Sequence, residues 1–315
     1  MNIKNIITNE IPYTYKLSKE FGISFGAKRF FYIHTKQKTK YIKNAINLLQ
    51  PYIENEKIES IDVGEMEENV PIWILWWQGF DAMPEVVKIC YSSIKKNLPD
   101  KTRLILLTED NYGDFISLPN EIIQKVKSGS FSIALLSDLI RQNLLSCYGG
   151  FWIDSTIYCA HPIPYDFLYQ KKFWSVKLSP LFDYSQITIG QLISNRMWGG
   201  FIQKAPRNHF INVAVYHALL AYMMEHNVNV DYFIQNLFIK ILYDSNKRVR
   251  TEIDCIPYSN PCLYELKNNI NKEFDADLWN TMLSETTFFK LNWKMDLKRT
   301  DSKGNITFYG HLQHQ

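Results

Sequence analysis

The sequence predicts an α/β fold with a mainly parallel central sheet. Short apolar runs that suit buried strands alternate along the chain with stretches whose apolar residues recur at three- and four-residue steps, as on one helix face. This alternation is typical of parallel sheets, in which helices connect successive strands. Because ligands of such sheets bind beyond the carboxyl ends of the strands, we expect functional residues at that edge.

The composition fits a globular protein and narrows its function. The 315 residues are 46% hydrophobic, which is enough for a sizeable core. The 35 basic and 32 acidic residues are too nearly balanced to indicate nucleic acid as a partner. The scattered cysteines lack zinc-site spacing and favour free thiols. Neither a cleavable leader nor a run of ~18 apolar residues is recognisable, so we expect a cytoplasmic protein.

Residues 1–69 predict a helical N-terminal appendage. Apolar residues recur there at helical spacing before a break at Pro51, and an acidic run at 65–68 marks the boundary to a main domain at 70–315. Residues 28–43 combine lysines with aromatic side chains, as segments at a membrane surface do. A solvated helix face beside core aromatics is the alternative interpretation.

The elements of the main domain follow in order. Each predicted strand is a short, mostly apolar run, and Pro84 can begin the helix after the first of them. Strands are predicted at 72–76, 103–107, 151–153 and 173–176, and helices around 84–94, 121–127, 133–144, 206–225 and 231–243.

The stretch at 137–156 is the most informative part of the chain. Asp138 and Arg141 lie three residues apart on a predicted helix, away from its apolar face. The glycines at 149–150 end that helix, and a short buried strand follows. Asp154 then emerges at the carboxyl end of the strand. Two carboxylates and a guanidinium are therefore expected at one sheet edge.

Each of these side chains also has a purely structural interpretation. Asp138 and Arg141 can form a helical ion pair, worth only ~0.2–0.5 kcal/mol when exposed. Asp154 can cap the turn after its strand. In the functional interpretation these groups bind diphosphate or sugar oxygens, and Asp154 binds a divalent ion that neutralises a diphosphate leaving group. Thr156 can add only a neutral hydroxyl.

Several aromatic side chains are candidate ligand contacts. Trp76 and Trp77, followed by Gln78, leave the sheet after the first strand, where an indole can stack on a nucleobase. Core packing of one indole is the alternative, since strand alternation turns only one of two neighbours inward. Trp198 precedes two glycines that either permit close approach of a ligand or form a turn. His311 near the C-terminus is either solvated or a ligand that folds back.

Familiar catalytic signatures are missing from the sequence. It contains no Walker loop, no dinucleotide-binding G-x-G-x-x-G after a strand, no G-x-S-x-G elbow and no H-E-x-x-H pair. The common kinase, dehydrogenase and hydrolase signatures therefore do not apply.

Five pieces of sequence share their order and spacing with a known family. They are IWILWWQG at 72–79, MPEVV at 83–87, LLTEDNY at 106–112, SDLIR at 137–141 and GGFWIDST at 149–156. Together they resemble bacterial capsular polysaccharide synthesis proteins, relatives of glycosyltransferases with the DXD sugar-binding motif. Weaker similarity continues through 231–233 and 289–291, and residues 1–69 are expected to be covered poorly.

The resemblance implies a GT-A-type nucleotide-sugar-binding fold and hexose transfer with retention of configuration. The implied donor is UDP-glucose or UDP-galactose, and the implied acceptor is a lipid-linked capsular or surface polysaccharide repeat unit. Asp138 and Arg141 would hold the donor sugar. Asp154 would begin the D-x-D motif and bind Mn²⁺ or Mg²⁺, with His311 as a further metal or diphosphate contact. Thr156 stands where the motif has its second acid.

The resemblance also implies a set of donor-binding residues and a cellular place. The donor-binding residues would be Trp76, Trp77, Gln78, Gly150, Ser155, Thr156 and Trp198. A lipid-linked acceptor implies peripheral contact with the inner face of the cell membrane. Two alternatives stay open: a non-catalytic nucleotide-sugar or glycan-binding protein, because the second acid is missing, and an assembly partner at the membrane surface.

Overall fold

The structure, a computed structural model, describes residues 6–35, 37–54, 56–180 and 189–313. In these ranges the α-helices are α1 Ile11–Phe21, α2 Ile23–His34, α3 Lys38–Leu49, α4 Pro51–Glu54, α5 Glu85–Asn97, α6 Asn120–Lys127, α7 Ile133–Cys147, α8 Tyr165–Tyr169, α9 Ile189–Ser194, α10 Phe210–Glu225, α11 Ile234–Ser245, α12 Lys247–Asp254, α13 Glu265–Asn269, α14 Ala276–Leu283 and α15 Phe308–Leu312. The strands are β1 Val70–Leu75, β2 Thr102–Leu107, β3 Gly150–Ile153, β4 Ile157–Cys159, β5 Trp174–Ser175, β6 Ile202–Ala205 and β7 Phe288–Lys290.

The predicted elements of the main domain are present, with ends shifted by a few residues. The first three predicted strands correspond to β1, β2 and β3, and the fourth is shortened to β5. Pro84 caps α5, as expected. The predicted break at Pro51 is present, because α3 ends at Leu49 and Pro51 begins the separate short helix α4. Proline is well tolerated in a first helical turn, where its missing N–H would have no partner.

Five strands form the central sheet in the order β2-β1-β3-β6-β5. β1 pairs in parallel with β2 and with β3, β6 is antiparallel to β3, and β5 is antiparallel to β6. Among these strands of the described chain, only β6 therefore runs against the others. The mainly parallel α/β sheet predicted from the sequence is confirmed.

Strand β6 was not predicted, because half of it is polar. Gln203 and Lys204 are completely or almost completely buried in it. The Gln203 amide oxygen accepts a hydrogen bond from Gln142, and Lys204 Nζ donates to the backbone oxygens of Gln170 and Lys172 at 2.6 and 3.0 Å. Burial lowers the pKa of Lys204 to about 8. Contacts with distant segments thus satisfy the Gln203 oxygen and the Lys204 ammonium, which a local apolar pattern would not place inside.

The order of the strands creates a switch point between β1 and β3. The chain passes from β1 to β2 on one side, and then returns to form β3 on the other side of β1. Trp73 of β1 pairs with Trp152 of β3, and extending this register by two residues brings Leu75 level with Asp154. Ligands of open α/β sheets bind in the crevice at such a point, beyond the carboxyl ends of the strands.

A small second sheet connects this edge to the C-terminal part of the chain. β4 and β7 pair antiparallel, with Ile157 opposite Lys290. The backbone N–H of Leu291 donates to Thr156 O at 2.8 Å, which extends the pairing toward Asp154. A hydrophobic cluster formed by α5, the two strands and the C-terminal helices encloses this sheet.

The N-terminal helices pack against the second half of the chain. The Tyr41 hydroxyl donates to Asp231 Oδ2 at 2.6 Å, and the Tyr13 hydroxyl donates to Asn229 O at 2.6 Å. Leu17, Tyr41 and other residues of these helices belong to the same hydrophobic cluster as the central sheet. The division at residue 69 stays a prediction, and residues 1–5, 36 and 55 lie outside the described chain. All five cysteines are free.

Across the described residues, no helix combines the length and apolar character needed to cross a membrane.

Candidate active site

Helix α7 and strand β3 bring the principal predicted site residues together. The Ser132 hydroxyl caps α7 by accepting a hydrogen bond from Leu135 N at 3.2 Å. After the helix, Gly149 adopts a φ of 68°, and an added Cβ would lie 2.6 Å from Arg207 N. Only glycine fits this turn without strain. The turn directs the chain into β3, so that Asp154 emerges beside α7.

Arg141 holds both predicted carboxylates. Its Nη1 donates to Asp138 Oδ1 and Gln235 Oε1, each at 2.7 Å, and its Nη2 donates to Asp154 Oδ1 at 3.0 Å. The guanidinium carbon lies 4.8 Å from the centroid of the Trp152 ring. Because the side chain is only 5% exposed and engages three protein acceptors, Arg141 fixes the carboxylates in place.

Asp154 accepts hydrogen bonds on both of its carboxylate oxygens. Oδ1 receives them from Arg141 and from Trp152 Nε1, the latter at 2.9 Å. Oδ2 receives one from Lys290 Nζ at 3.0 Å, and the same ammonium donates to Thr156 Oγ1 at 2.7 Å. Lys290 therefore bridges the first and third residues of the Asp-Ser-Thr sequence.

Asp138, Arg141, Asp154 and Lys290 form a charged cluster with two acidic and two basic groups, whose formal charges cancel. Their side chains differ in exposure. Asp138 is 17% exposed, Lys290 21% and Asp154 26%, whereas Arg141 is almost completely buried. Asp138, Asp154 and Lys290 can consequently contact a ligand. Arg141 is too buried for such contact and holds the two carboxylates in place.

The two carboxylates of the charged cluster titrate differently. Burial raises the pKa of the Asp138 carboxyl to about 6, and the nearby Asp154 carboxylate adds to the rise, although Arg141 opposes it. Burial would also raise the pKa of Asp154. Lys290, Arg141 and the Trp152 N–H more than offset this effect, so the pKa of Asp154 is held below its usual value. Asp154 thus stays ionised where Asp138 begins to take up a proton.

Helix α11 closes one side of the charged cluster. Gln235 binds Arg141 through its amide oxygen, and its Nε2 donates to Gly200 O at 3.4 Å. An added Cβ on Gly200 would lie 2.7 Å from both Gln235 Nε2 and Asn236 Oδ1. Tyr232, just before α11, is 68% exposed. Desolvation, together with the carboxylates of the charged cluster, raises the pKa of its phenol.

The predicted base-stacking residues lie after β1, at the same sheet edge. Trp77 is buried, with its ring centroid 5.3 Å from that of Tyr112. Trp76 is partly exposed and packs edge-on against Trp293 at 5.6 Å. Gln78 is exposed. Of the two indoles, Trp76 is the one available to a ligand, as the alternation argument anticipated for one of the pair.

The other predicted donor contacts are more scattered. Ser155 lies in the turn between Asp154 and β4, beside the charged cluster, whereas Trp198 is buried against Tyr243. Gly150 begins β3, ~13 Å along the strand from Asp154 at 3.3 Å per residue. An added Cβ there would lie 2.3 Å from Pro71 O, so this glycine permits the pairing of β3 with β1. Its predicted donor contact gains no support from this position.

The residues around Asp154 fit a divalent ion poorly. Mn²⁺ and Mg²⁺ prefer several carboxylate or carbonyl oxygens, and here an ammonium engages both Asp154 Oδ2 and Thr156 Oγ1. In the part of the chain that the structure describes, no group of three or more His, Cys, Asp or Glu side chains is arranged to hold a metal. His311, in α15, stacks on Phe274 with the two ring centroids 3.8 Å apart. The metal and the role of His311 stay predictions.

Sequence reasoning missed three residues that hold the charged cluster together. The sequence placed Gln235 in a predicted helix and Trp152 in a predicted strand. It showed Lys290 only within a short apolar piece that weakly resembles the family. A lysine inside the apolar run 288–291 was the one available signal, because such a cation requires a partner when it is partly buried. The sequence did not indicate which partner.

Two surface cavities lie away from the charged cluster. One is lined by His209, Arg248 and Glu252, and the other by Cys147 and Arg207 among other residues. Cys147 ends α7, nine residues beyond Asp138, which corresponds to ~14 Å along the helix. Neither cavity is lined by a member of the charged cluster, so these cavities do not belong to the candidate site.

A sequence model of the capsular polysaccharide synthesis protein family matches residues 22–312. Because the match spans nearly the whole chain, the protein belongs to this family, and a role in capsule biosynthesis follows. The match also includes most of the N-terminal segment for which poor coverage was expected. No curated protein matches the chain in a sequence comparison. The relation to DXD-containing transferases stays a prediction.

Proposed function

We propose that this family member is a glycosyltransferase with a GT-A-type fold that transfers a hexose from UDP-glucose or UDP-galactose with retention of configuration. The proposed acceptor is a hydroxyl of a lipid-linked repeat unit of a capsular or surface polysaccharide. The observation that carries the proposal is the charged cluster beyond β3, at the switch point between two parallel strands.

The charged cluster offers the chemical groups that a nucleotide sugar requires. The partly exposed carboxylates of Asp138 and Asp154 can accept hydrogen bonds from sugar hydroxyls, and Arg141 fixes their orientation through direct bonds to both. Trp76, at the end of the neighbouring strand, supplies an aromatic face for the base. Such preorganisation lowers the cost of binding a flexible donor.

In the proposed reaction, the acceptor oxygen forms a bond to the anomeric carbon while the bond from that carbon to the diphosphate oxygen breaks. The departing diphosphate takes the bonding electron pair and accepts the proton of the acceptor hydroxyl. A separate side-chain base is therefore not needed. Positive charge fixed near the leaving oxygen stabilises the transition state strongly, because the site is partly shielded from water.

We also propose that helices α2 and α3 contact the membrane that carries the acceptor. Lys28, Lys40, Lys43 and Phe31 are exposed on them, although Arg29 of the same segment is buried in an ion pair. Exposed lysines attract anionic headgroups, and an exposed aromatic ring can enter the interface. Replacing the three lysines with glutamine should reduce co-sedimentation with anionic vesicles, and undiminished binding would contradict this contact.

The enzymatic proposal is tested by donor turnover. Wild type, Asp154→Ala and Asp138→Ala are incubated with UDP-glucose and UDP-galactose, and release of UDP is measured together with hexose transfer. We expect both substitutions to reduce kcat/KM by ~100-fold or more, the usual cost of removing one preorganised electrostatic group. Asp296→Ala is the control, because the Asp296 side chain is 88% exposed. Unimpaired turnover in both site variants would contradict the site assignment.

The rival function, a non-catalytic nucleotide-sugar or glycan-binding protein, predicts a different result. Calorimetry would then detect donor binding to the wild type, while UDP release would stay at the rate of the uncatalysed reaction with every acceptor offered. The bridged arrangement of Asp154, Lys290 and Thr156 favours catalysis, because a fixed cation beside a diphosphate assists its departure.

A further inference from the structure

The proposed reaction requires positive charge at the diphosphate, and the structure offers one partly exposed cation in the charged cluster. Arg141 is almost fully buried and engages Asp138, Gln235 and Asp154. Lys290 is 21% exposed and directs its ammonium between Asp154 and Thr156. The position expected for a divalent ion is thus occupied by a side-chain cation.

We propose that the Lys290 ammonium binds the donor diphosphate and replaces a divalent metal ion in this site. This inference rests on the proposed glycosyltransferase function and specifies its source of positive charge. An ammonium has three N–H donors. Two of them are used by Asp154 Oδ2 at 3.0 Å and Thr156 Oγ1 at 2.7 Å, which leaves the third for a phosphate oxygen.

Thr156 suits this arrangement better than a second acid would. A hydroxyl accepts a hydrogen bond from the ammonium without adding negative charge, so that the charged cluster stays balanced. With aspartate at this position, the cluster would carry an additional negative charge and would attract a divalent ion. A divalent ion placed beside Lys290 in the present site would instead meet direct repulsion from the ammonium.

The backbone holds Lys290 in this position. Its N–H donates to Leu263 O at 2.7 Å, and the next residue, Leu291, donates to Thr156 O at 2.8 Å. The ammonium also lies 5.0 Å from the centroid of the Phe201 ring, which favours a cation at this point. Lys290 and Thr156 consequently lie on adjacent backbone segments that are hydrogen-bonded to each other. This pairing fixes the position of the ammonium.

The first test measures whether the wild type needs a metal. UDP release is followed with UDP-glucose and UDP-galactose in EDTA, and then with added Mn²⁺ or Mg²⁺. We expect turnover in EDTA within about twofold of that with metal. Calorimetry with Mn²⁺ alone should detect no binding. Turnover only with a metal, or Mn²⁺ binding that Asp154→Asn abolishes, would overturn the inference while the glycosyltransferase function would stand.

The second test replaces the lysine. Lys290→Met should lower kcat/KM by ~100-fold or more, and Lys290→Arg should retain a larger part of the activity because it keeps the charge. Lys298→Met is the matched control, since the Lys298 side chain is 62% exposed and outside the charged cluster. Thermal unfolding confirms that each variant is folded. Equal activity of folded Lys290→Met and wild type would overturn the inference.

A double variant makes the converse prediction. Combining Lys290→Ala with Thr156→Asp removes the ammonium and supplies the second carboxylate, so calorimetry should detect Mn²⁺ binding that the wild type lacks. Failure of the folded double variant to bind Mn²⁺ more tightly than the wild type would count against the exchange of cation for metal. A wild type that turns over no nucleotide sugar under any condition would overturn the proposed function, and this inference with it.

Discussion

Arg141 and Gln142 are neighbours on α7, yet they belong to two very different polar networks. Arg141 joins the charged cluster, in which Asp138, Asp154 and Lys290 are partly exposed. Gln142 donates to Gln203 Oε1 at 2.9 Å and accepts from Asn212 Nδ2 at 2.8 Å, and all three amides of this neutral network are completely buried. The two networks are separated by one helix position.

The buried amide network suits a role in maintaining the fold, whereas the charged cluster suits a ligand. Two hydrogen bonds among the buried amides connect α7, β6 and α10, so we expect their effect to be confined to stability and specificity of packing. The charged cluster leaves two carboxylates and an ammonium in contact with solvent, where partial burial makes their interactions stronger than on an open surface. We therefore expect ligand binding at the charged cluster and not at the buried amides.

The largest expected effect comes from breaking the charged cluster at its centre. Arg141→Met should reduce kcat/KM for the nucleotide sugar by ~100–1,000-fold, because both carboxylates lose the group that fixes them. Arg141→Lys should recover little, since one ammonium cannot reproduce the planar fork that reaches three acceptors. Steady-state kinetics of the folded variants provides the measurement. Full activity of the lysine variant would show that the fork is unnecessary.

The adjacent substitution should affect stability and leave the chemistry intact. Gln142→Met removes the partners of Gln203 Oε1 and Asn212 Nδ2, and each unsatisfied buried group costs about 1–3 kcal/mol of the free energy of unfolding. Denaturant unfolding measures this loss, while kcat/KM per folded molecule should stay within about twofold of the wild type. A large loss of activity in a stably folded Gln142→Met would contradict the claim that this buried network affects stability and not activity.

The smallest expected effect is a pH dependence that distinguishes Asp138 from Asp154. Folding raises the pKa of Asp138 from 3.8 to about 6, so the folded state binds the proton more tightly than the unfolded state. The resulting stabilisation is fully present below pH 3.8 and is lost as the pH rises through about 6. The stability of Asp138→Asn relative to wild type should therefore increase between pH 4 and pH 7, as measured by denaturant unfolding.

The same titration should appear in the kinetics. Below a pH of about 6 Asp138 becomes neutral, so the activity of the wild type should fall there, while Asp138→Asn should have low activity without this acid limb. Asp154, whose pKa is held below its usual value by Lys290 and Arg141 despite its burial, should contribute no limb in this range. An unchanged acid limb in Asp138→Asn would assign it to another group.

The sequence predicted the local part of the site well. Helical periodicity placed Asp138 and Arg141 on α7, and the glycines and apolar run that follow placed Asp154 at the end of β3. It failed where polar residues are buried by distant partners. Strand β6 was not predicted, because it contains the polar residues Gln203 and Lys204. Hydrogen bonds with other segments allow these side chains to be buried, and a local sequence pattern does not contain those bonds.

The sequence by itself determined the order of helix, glycine turn and strand that brings Asp154 beside α7, because each step depends on residues a few positions apart. Only the tertiary structure decided which groups complete the site. Gln235 lies 94 positions from Arg141 and Lys290 lies 136 from Asp154. Their contacts depend on how α11 packs and how β7 pairs with β4, and these long-range arrangements are fixed by the burial of the whole core rather than by any local pattern.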